Sequence, residues 1–274
     1  MEQATQVIGL PPPRLRPLVN RYIGYHYRSA PGVHRGLPSS KLTFIATVTG
    51  TIDLRAPDGP PRRYAALVGG LHETPVTIEH DGRQHGIEAD LTPLGARALF
   101  GLPAGELAGL DVHLGDLLGA PAAELLDRLR AAGTWTDRFA CFTDILDRVA
   151  RPAAIPAPEL GWAWRRLTAA PAAVAVAELA AEVGWSRQHL RTRFQREFGV
   201  SPKVLARVVR FQHARDLLVR PDRPALAEIA ARAGYADQAH FTRDWRAFSG
   251  LSPTVWLAEE LPFAQDPDPD RPPA

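Results

Sequence analysis

The chain holds a single cysteine, Cys141, in 274 residues, so no intrachain disulfide can form, and its place on an apolar helical stretch predicts a small core side chain. It has only two lysines, Lys41 and Lys203, so arginine supplies nearly all the positive charge, a bias that reads as genomic composition rather than chemistry. No apolar run is long enough to span a bilayer, and Met1–Leu10 lacks the basic start of a secretory signal. A soluble, cytoplasmic protein with no membrane partner is expected. There is no Walker loop, no GxGxxG following a strand and no GxSxG, which removes the common nucleotide-binding and serine-hydrolase signatures. His26, His34, His72, His80, His85 and His113 are numerous, but no two stand at i, i+2 or i, i+4 and no cysteine joins them. No metal site and no cofactor is predicted.

What the sequence does contain is a motif written twice. Ala177-Glu178-Leu179-Ala180-Ala181-Glu182-Val183-Gly184-Trp185-Ser186 is echoed by Ala227-Glu228-Ile229-Ala230-Ala231-Arg232-Ala233-Gly234-Tyr235. Each copy is followed by an arginine-bearing amphipathic stretch that closes on Gly-Val-Ser-Pro202 or Gly-Leu-Ser-Pro253. Leu179, Ala180 and Val183 share one helical stripe, as do Leu226, Ile229, Ala230 and Ala233, and each stripe must pack on something. Gly184 and Gly234 stand where the chain leaves the helix, a position that favours positive φ. Trp185 and Tyr235 offer an aromatic plug. Ser186 and Asp237 are the expected N-caps of the second helices, and counting from them aligns the copies despite one extra residue in the second.

Helix, glycine turn and basic second helix together make a helix-turn-helix, and two in tandem suggest a reader of duplex DNA. Leu190, Phe194 and Phe198 should face inward in the first copy, and Phe241, Trp245 and Phe248 in the second. The outward faces then carry Arg187, Gln188, Arg191 and Thr192, and Gln238, Ala239, His240, Thr242 and Arg243. Arginine can grip guanine bidentately, glutamine adenine, and threonine either base, so these are the expected base-reading residues. Arg193, Arg196 and Arg246 lie further along and suit phosphates. Ser201-Pro202 should open a connecting helix with Val204, Leu205, Val208, Phe211 and Leu218 on its buried stripe. Over residues 202–219, at about 1.5 Å per residue, it spans about 27 Å, of the order of the ~34 Å between successive major grooves on one DNA face. On that helix Arg207, Arg210 and Arg215 read as surface or ion-paired groups rather than DNA contacts.

Ala177–Ser186, Gly199–Pro202, the run Gly234-Tyr235-Ala236-Asp237-Gln238-Ala239-His240-Phe241-Thr242-Arg243 and the closing Phe248-Ser249-Gly250-Leu251-Ser252-Pro253 resemble the DNA-binding domain of AraC/XylS-type transcriptional regulators. The resemblance spans about Trp162 to Glu260. It implies a seven-helix module of two helix-turn-helix units joined by a long helix, with the positions named above reading bases. Ala239 departs from it: its side chain is too short to hydrogen-bond a base, though it can touch a thymine methyl.

Charge divides the chain in the same way. Residues 161–262 hold 15 basic and 10 acidic side chains, a net of +5, whereas residues 1–160 hold 16 and 17, a net of −1. Arg151-Pro152-Ala153-Ala154-Ile155-Pro156-Ala157-Pro158 marks the boundary. The expected organisation is a domain over 1–150 for effector binding or dimerisation, a linker over 151–160, the DNA-binding domain over 161–262 and a disordered tail over 263–274.

The first domain reads as α+β, a small curled sheet or barrel plus helices, ahead of an all-α double helix-turn-helix domain. Leu42–Thr49 alternates as a half-buried strand, Thr49-Gly50 turns into Thr51–Leu54, and Pro57-Asp58-Gly59-Pro60 is a further turn. Asp81-Gly82 should join Val76–His80 to His85–Leu91 as a hairpin. Helices are expected around Leu94–Leu99, over Ala120–Ala131 and over Thr134–Ala150. Pro11–Tyr27, Gly86–Gly101 and Leu114–Leu118 more loosely resemble the N-terminal domain of a subset of AraC-like regulators. In the family such a domain is a β-barrel that binds an effector or dimerises. Tyr22, Tyr25, Tyr27 and Phe44 line a ligand pocket or form the core.

The reading is therefore a sequence-specific regulator, not an enzyme. Its partner is a double-stranded DNA operator, with RNA polymerase, a small-molecule effector and a second copy of the chain left open. The alternative is an enzyme tethered to DNA, for which His72, Glu73, Glu79, His80, Glu88 and Asp90 form the only dense titratable cluster in the first half.

Overall fold

The computed structural model describes residues 5–55, 59–169 and 174–264. In chain order the strands are β1 (Thr5–Gly9), β2 (Val19–Arg28), β3 (Gly32–Gly36), β4 (Leu42–Thr49), β5 (Ile52–Arg55), β6 (Arg62–Tyr64), β7 (Ala66–Gly69), β8 (Val76–His80) and β9 (Arg83–Leu91). Helix α1 (Pro93–Phe100), a 3-10 turn (Ala104–Leu107), β10 (Asp111–His113), α2 (Leu114–Leu118), α3 (Ala120–Ala131) and α4 (Trp135–Val149) complete the first half. Helices α5 (Pro158–Thr168), α6 (Val176–Glu182), α7 (Arg187–Phe198), α8 (Pro202–Leu218), α9 (Leu226–Arg232), α10 (Gln238–Ser249) and α11 (Pro253–Ala264) follow. The expected tail falls partly within α11, and its residues 265–274 lie outside the described residues, as does the Pro57-Asp58 part of the expected turn.

The strands form two antiparallel sheets that do not close into a barrel: six strands in the order β1-β2-β9-β4-β7-β10, and four in the order β3-β8-β5-β6. Leu42, Phe44 and Ala46 of β4 and Ile87, Ala89 and Leu91 of β9 are wholly buried on the face that α3 and α4 cover. Phe142 of α4 meets the rings of Phe44 at 4.7 Å and Tyr22 at 5.4 Å. Tyr22 and Phe44 are thus core residues, while Tyr25 and Tyr27 remain partly exposed and stack on each other. Thr134 caps α4 by accepting from the amide of Asp137, which sets the start of that helix where the sequence placed it. Side chains alternate across β9, so Asp90 faces away from the helices. There Arg21 and Lys41 each donate to its Oδ2 at 2.8 Å.

The expected hairpin at Asp81-Gly82 does not form. β8 pairs with β3 and β5, and β9 pairs with β2 and β4, so the turn carries the chain from the smaller sheet to the larger one. Gly82, at φ +91°, fits there because a Cβ would lie 2.2 Å from the carbonyl oxygen of Ser29. Thr49-Gly50 makes the opposite crossing, with Gly50 at φ +73°. The sequence signals the turn but carries no information on which partners the flanking strands find.

The boundary between halves is not a gap in the packing. Pro158 occupies the first turn of α5, and Ala157 and Leu160 are already buried. One apolar cluster takes in the large sheet, α3, α4, Trp164 of α5, Leu179 of α6, Phe194 and Phe198 of α7 and Leu205 of α8. A second, from Val208 through Phe211, Ile229, Phe241 and Trp245 to Trp256, holds the last helices together.

Two measurements test this account. Replacing Asp90 with Ala removes the buried carboxylate that Arg21 and Lys41 share and should lower unfolding stability by about 3 kcal/mol in a urea titration. His85, stacked on His26 at 4.5 Å, has its pKa lowered to about 4 by burial and by the nearby Arg138 and His26. Because the folded state resists this protonation and the unfolded state does not, stability should fall as pH drops from about 6.5 towards 4. His85→Gln should flatten that slope.

Candidate nucleic-acid interface

Each helix-turn-helix unit is built from a short helix, a glycine turn and a capped second helix. Gly184 and Gly234 adopt φ +69° and +78°, which a side chain would resist. Ser186 Oγ then accepts from the amide of His189 at 3.1 Å, and Asp237 Oδ1 from that of His240 at 2.6 Å. These are the caps the sequence placed. Leu190, Phe194 and Phe198 face inward, as do Phe241, Trp245 and Phe248. Tyr235 is the buried plug of the second unit, against Phe241 at 5.4 Å, whereas Trp185 is only half-buried and meets the His189 ring edge-on at 4.6 Å.

The opposite faces stay in solvent. Arg187, Gln188, Arg191 and Thr192 on α7, and Gln238, Ala239 and Arg243 on α10, are exposed; His240 and Thr242 are half-buried. Thr242 Oγ1 donates to the carbonyl of Gln238 at 2.8 Å, so its hydroxyl offers a base only acceptor capacity and a methyl group. His240 lies edge-on to Tyr235 at 5.2 Å with Nε2 3.9 Å from Asp244 Oδ2. Of the three phosphate candidates, Arg196 and Arg246 are exposed and Arg193 is half-buried. Among the described residues none of Arg187, Arg191, Arg193, Arg196, Arg243 and Arg246 has a carboxylate partner.

The connecting helix shows the contrast. Ser201 caps α8 and Val219 ends it. Arg207 grips Asp244 of α10 at 2.9 and 3.4 Å with its guanidinium over the Phe248 ring. Asp244 is buried, and the ion pair fixes the rotation of α10 against α8. Arg210 lies over the Tyr235 ring at 5.2 Å, and Arg215 pairs with its neighbour Asp216. Desolvation raises the Tyr235 hydroxyl above its usual pKa. Arg207 and Arg215 are thus ion-paired, as expected, whereas Arg210 is stacked on an aromatic ring.

Sequence reasoning missed the contact that ties α7 to the first half. Glu197, in the last turn of α7, is buried, and Arg97 of α1 grips both of its oxygens at 2.6 Å. The signal was present: a carboxylate one residue from Phe198 on an inward stripe requires a cation. Beside it, a Cβ on Gly105 would lie 2.5 Å from the carbonyl oxygen of Arg196, and one on Gly199 2.1 Å from Ala108 Cβ. The backbones of the 3-10 turn and the end of α7 therefore touch.

Residues 179–259 match a family described as a helix-turn-helix domain. The probable thc operon regulatory protein of Rhodococcus erythropolis is 35% identical over 91 residues, 32% of this chain and 27% of that protein. The match thus spans about a quarter of that relative's length. Structures of ToxT from Vibrio cholerae share the fold across both halves. One has a TM-score of 0.50 at 11% identity over 94% of this chain and 99% of ToxT. Another, from strain O395, has a TM-score of 0.51 at 11% identity over 94% and 98%. The C-terminal half thus carries a helix-turn-helix domain of the matched family.

Three members of the titratable cluster in the first half have separate partners. Glu79 pairs with Arg55, Asp90 with Arg21 and Lys41, and His72 Nδ1 lies 2.5 Å from the carbonyl of Thr74. No helix among the described residues is long and apolar enough to cross a membrane.

Arg207→Ala strands the buried Asp244 and should cost about 2 kcal/mol of stability in thermal unfolding. Arg215→Ala, whose partner is half-exposed, should stay within about 0.5 kcal/mol. Equal losses would show that the two pairs do the same work.

Proposed function

We propose that the chain is a sequence-specific transcriptional regulator that places α7 and α10 in adjacent major grooves. The observation that carries this reading is the sorting of the arginines. Among the described residues, those on the outer faces of the two capped helices have no carboxylate partner, while those on the helix between them are paired or stacked. Free guanidiniums release counterions and reach base edges; paired ones do neither. The helix between, at 17 residues, spans about 26 Å, somewhat under the ~34 Å groove repeat. A modest bend of the duplex towards the protein accommodates the difference.

Within this reading, Arg187, Gln188, Arg191, Thr192, Gln238, Ala239, His240, Thr242 and Arg243 face bases, and Arg193, Arg196 and Arg246 face phosphates. Residues 1–150 act as the control domain and 161–262 as the DNA-binding domain, in the cytoplasm. Control comes through a small molecule or a second copy of the chain. One ToxT structure is described as bound to an unsaturated fatty acid, with a TM-score of 0.51 at 10% identity over 94% of this chain and 98% of that one. Apolar carboxylates are accordingly the first class to screen as effectors.

A duplex selected by this protein from a random-sequence pool supplies the test. Arg243→Ala should cost about 1–3 kcal/mol of binding and relax specificity at one base pair. Arg196→Ala should weaken all sequences alike and reduce the salt slope by about one. Loss of specificity to the same degree in both variants would overturn the division between base and phosphate contacts.

A further inference from the structure

The two reading units are joined to the first half by different means. The first shares its core: Phe194 and Phe198 belong to the same apolar cluster as the large sheet, and Arg97 holds Glu197. The second has a core of its own. What ties it to the first half, beyond the packing of Leu37 on that core, is largely polar. Arg35 of β3 donates through Nη1 to Glu260 Oε1 at 2.7 Å and to Glu259 Oε2 at 3.0 Å, and its backbone amide donates to Glu260 Oε2 at 3.2 Å. Ser40 donates its amide to Gln212 Oε1 of α8 at 3.0 Å. Glu260 is buried, and burial raises its pKa even though Arg35 opposes the shift. α11, which carries both glutamates, sits against α10 through Trp256, whose ring meets Trp245 at 5.3 Å. β3 is an edge strand of the smaller sheet, paired among the described residues only with β8.

We propose that Arg35 and Glu260 are positioning residues for DNA reading: their ion pair latches the second reading unit to β3 and holds α10 in register with α7. The inference rests on the proposed function. The chain closes a mechanical loop, from the large sheet through α7, along α8 to α10 and α11, and back through the latch. Both outer faces remain in solvent with the latch closed, so the first half covers neither of them. With α10 pre-aligned, the second helix binds as an intramolecular event at high effective concentration. With the latch open, only α8 aligns it, and that advantage shrinks. A ligand or partner that shifts β3 would act on the second reader and leave the first in place.

The test uses the full chain and a duplex it selects from a random-sequence pool, compared with the same duplex scrambled under either helix and with one or two base pairs inserted between the subsites. Arg35→Ala and Glu260→Gln should lose about tenfold or more in affinity for the intact duplex, keep their affinity for the duplex scrambled under α10, and tolerate the insertions better than the parent. The double variant should lose no more than the worse single one. Gln212→Ala, which strands no charge, should move the same affinity ratio in the same direction by a smaller factor. Equal loss on intact and scrambled duplexes, unchanged insertion tolerance, or tighter binding by the latch variants would each overturn the proposal. Failure of the parent chain to enrich any duplex would instead remove the reading of the protein as a DNA-binding regulator.

Discussion

Burial of Trp164, Phe194 and Phe198 in the same apolar cluster as the large sheet is the constraint on which the arrangement depends. A recognition helix needs one face wholly wet and the other wholly dry, and the dry face of a 12-residue helix is small. α7 borrows additional core from the first half, through the 3-10 turn and the Arg97–Glu197 pair. α10 instead draws on α8, α9 and α11, so the two copies of one motif reach stability by different routes. Duplication of sequence has not meant duplication of environment.

Much of this architecture was legible beforehand because its signals are local. The caps at Ser186 and Asp237, the helix starts at Thr134 and Ser201 and the glycines at 184 and 234 declare themselves through chemistry confined to a few residues. The inward aromatics of α7 and α10 follow from a 3.6-residue period, and the strand at Leu42–Thr49 from a period of two. Outward positions follow by subtraction, which is why the exposed arginines could be named from spacing alone.

The unread part is long-range. Asp81-Gly82 looks like a hairpin turn to any local rule, yet β8 and β9 belong to different sheets because their best partners lie elsewhere along the chain. The carboxylates of Glu197, Asp244 and Glu260 each stand on an inward surface, and a buried charge demands a counterion. The sequence supplies 32 cationic side chains from which to choose and no local sign of which one arrives. Arg97 lies 100 residues from Glu197, and Arg35 225 from Glu260. Ion pairs of this span are outcomes of topology, and they tell the reading helices where the first half is.

Close backbone approach at Gly105 and Gly199 has an evolutionary corollary. A Cβ on Gly105 would meet the Arg196 carbonyl oxygen and one on Gly199 would meet Ala108 Cβ, so neither glycine can acquire a Cβ unless the facing segment retreats. Grafting this DNA-reading half onto another sensor would transplant only half of the joint. Any exchange of this half must therefore carry the 3-10 turn and the end of α7 as a matched set.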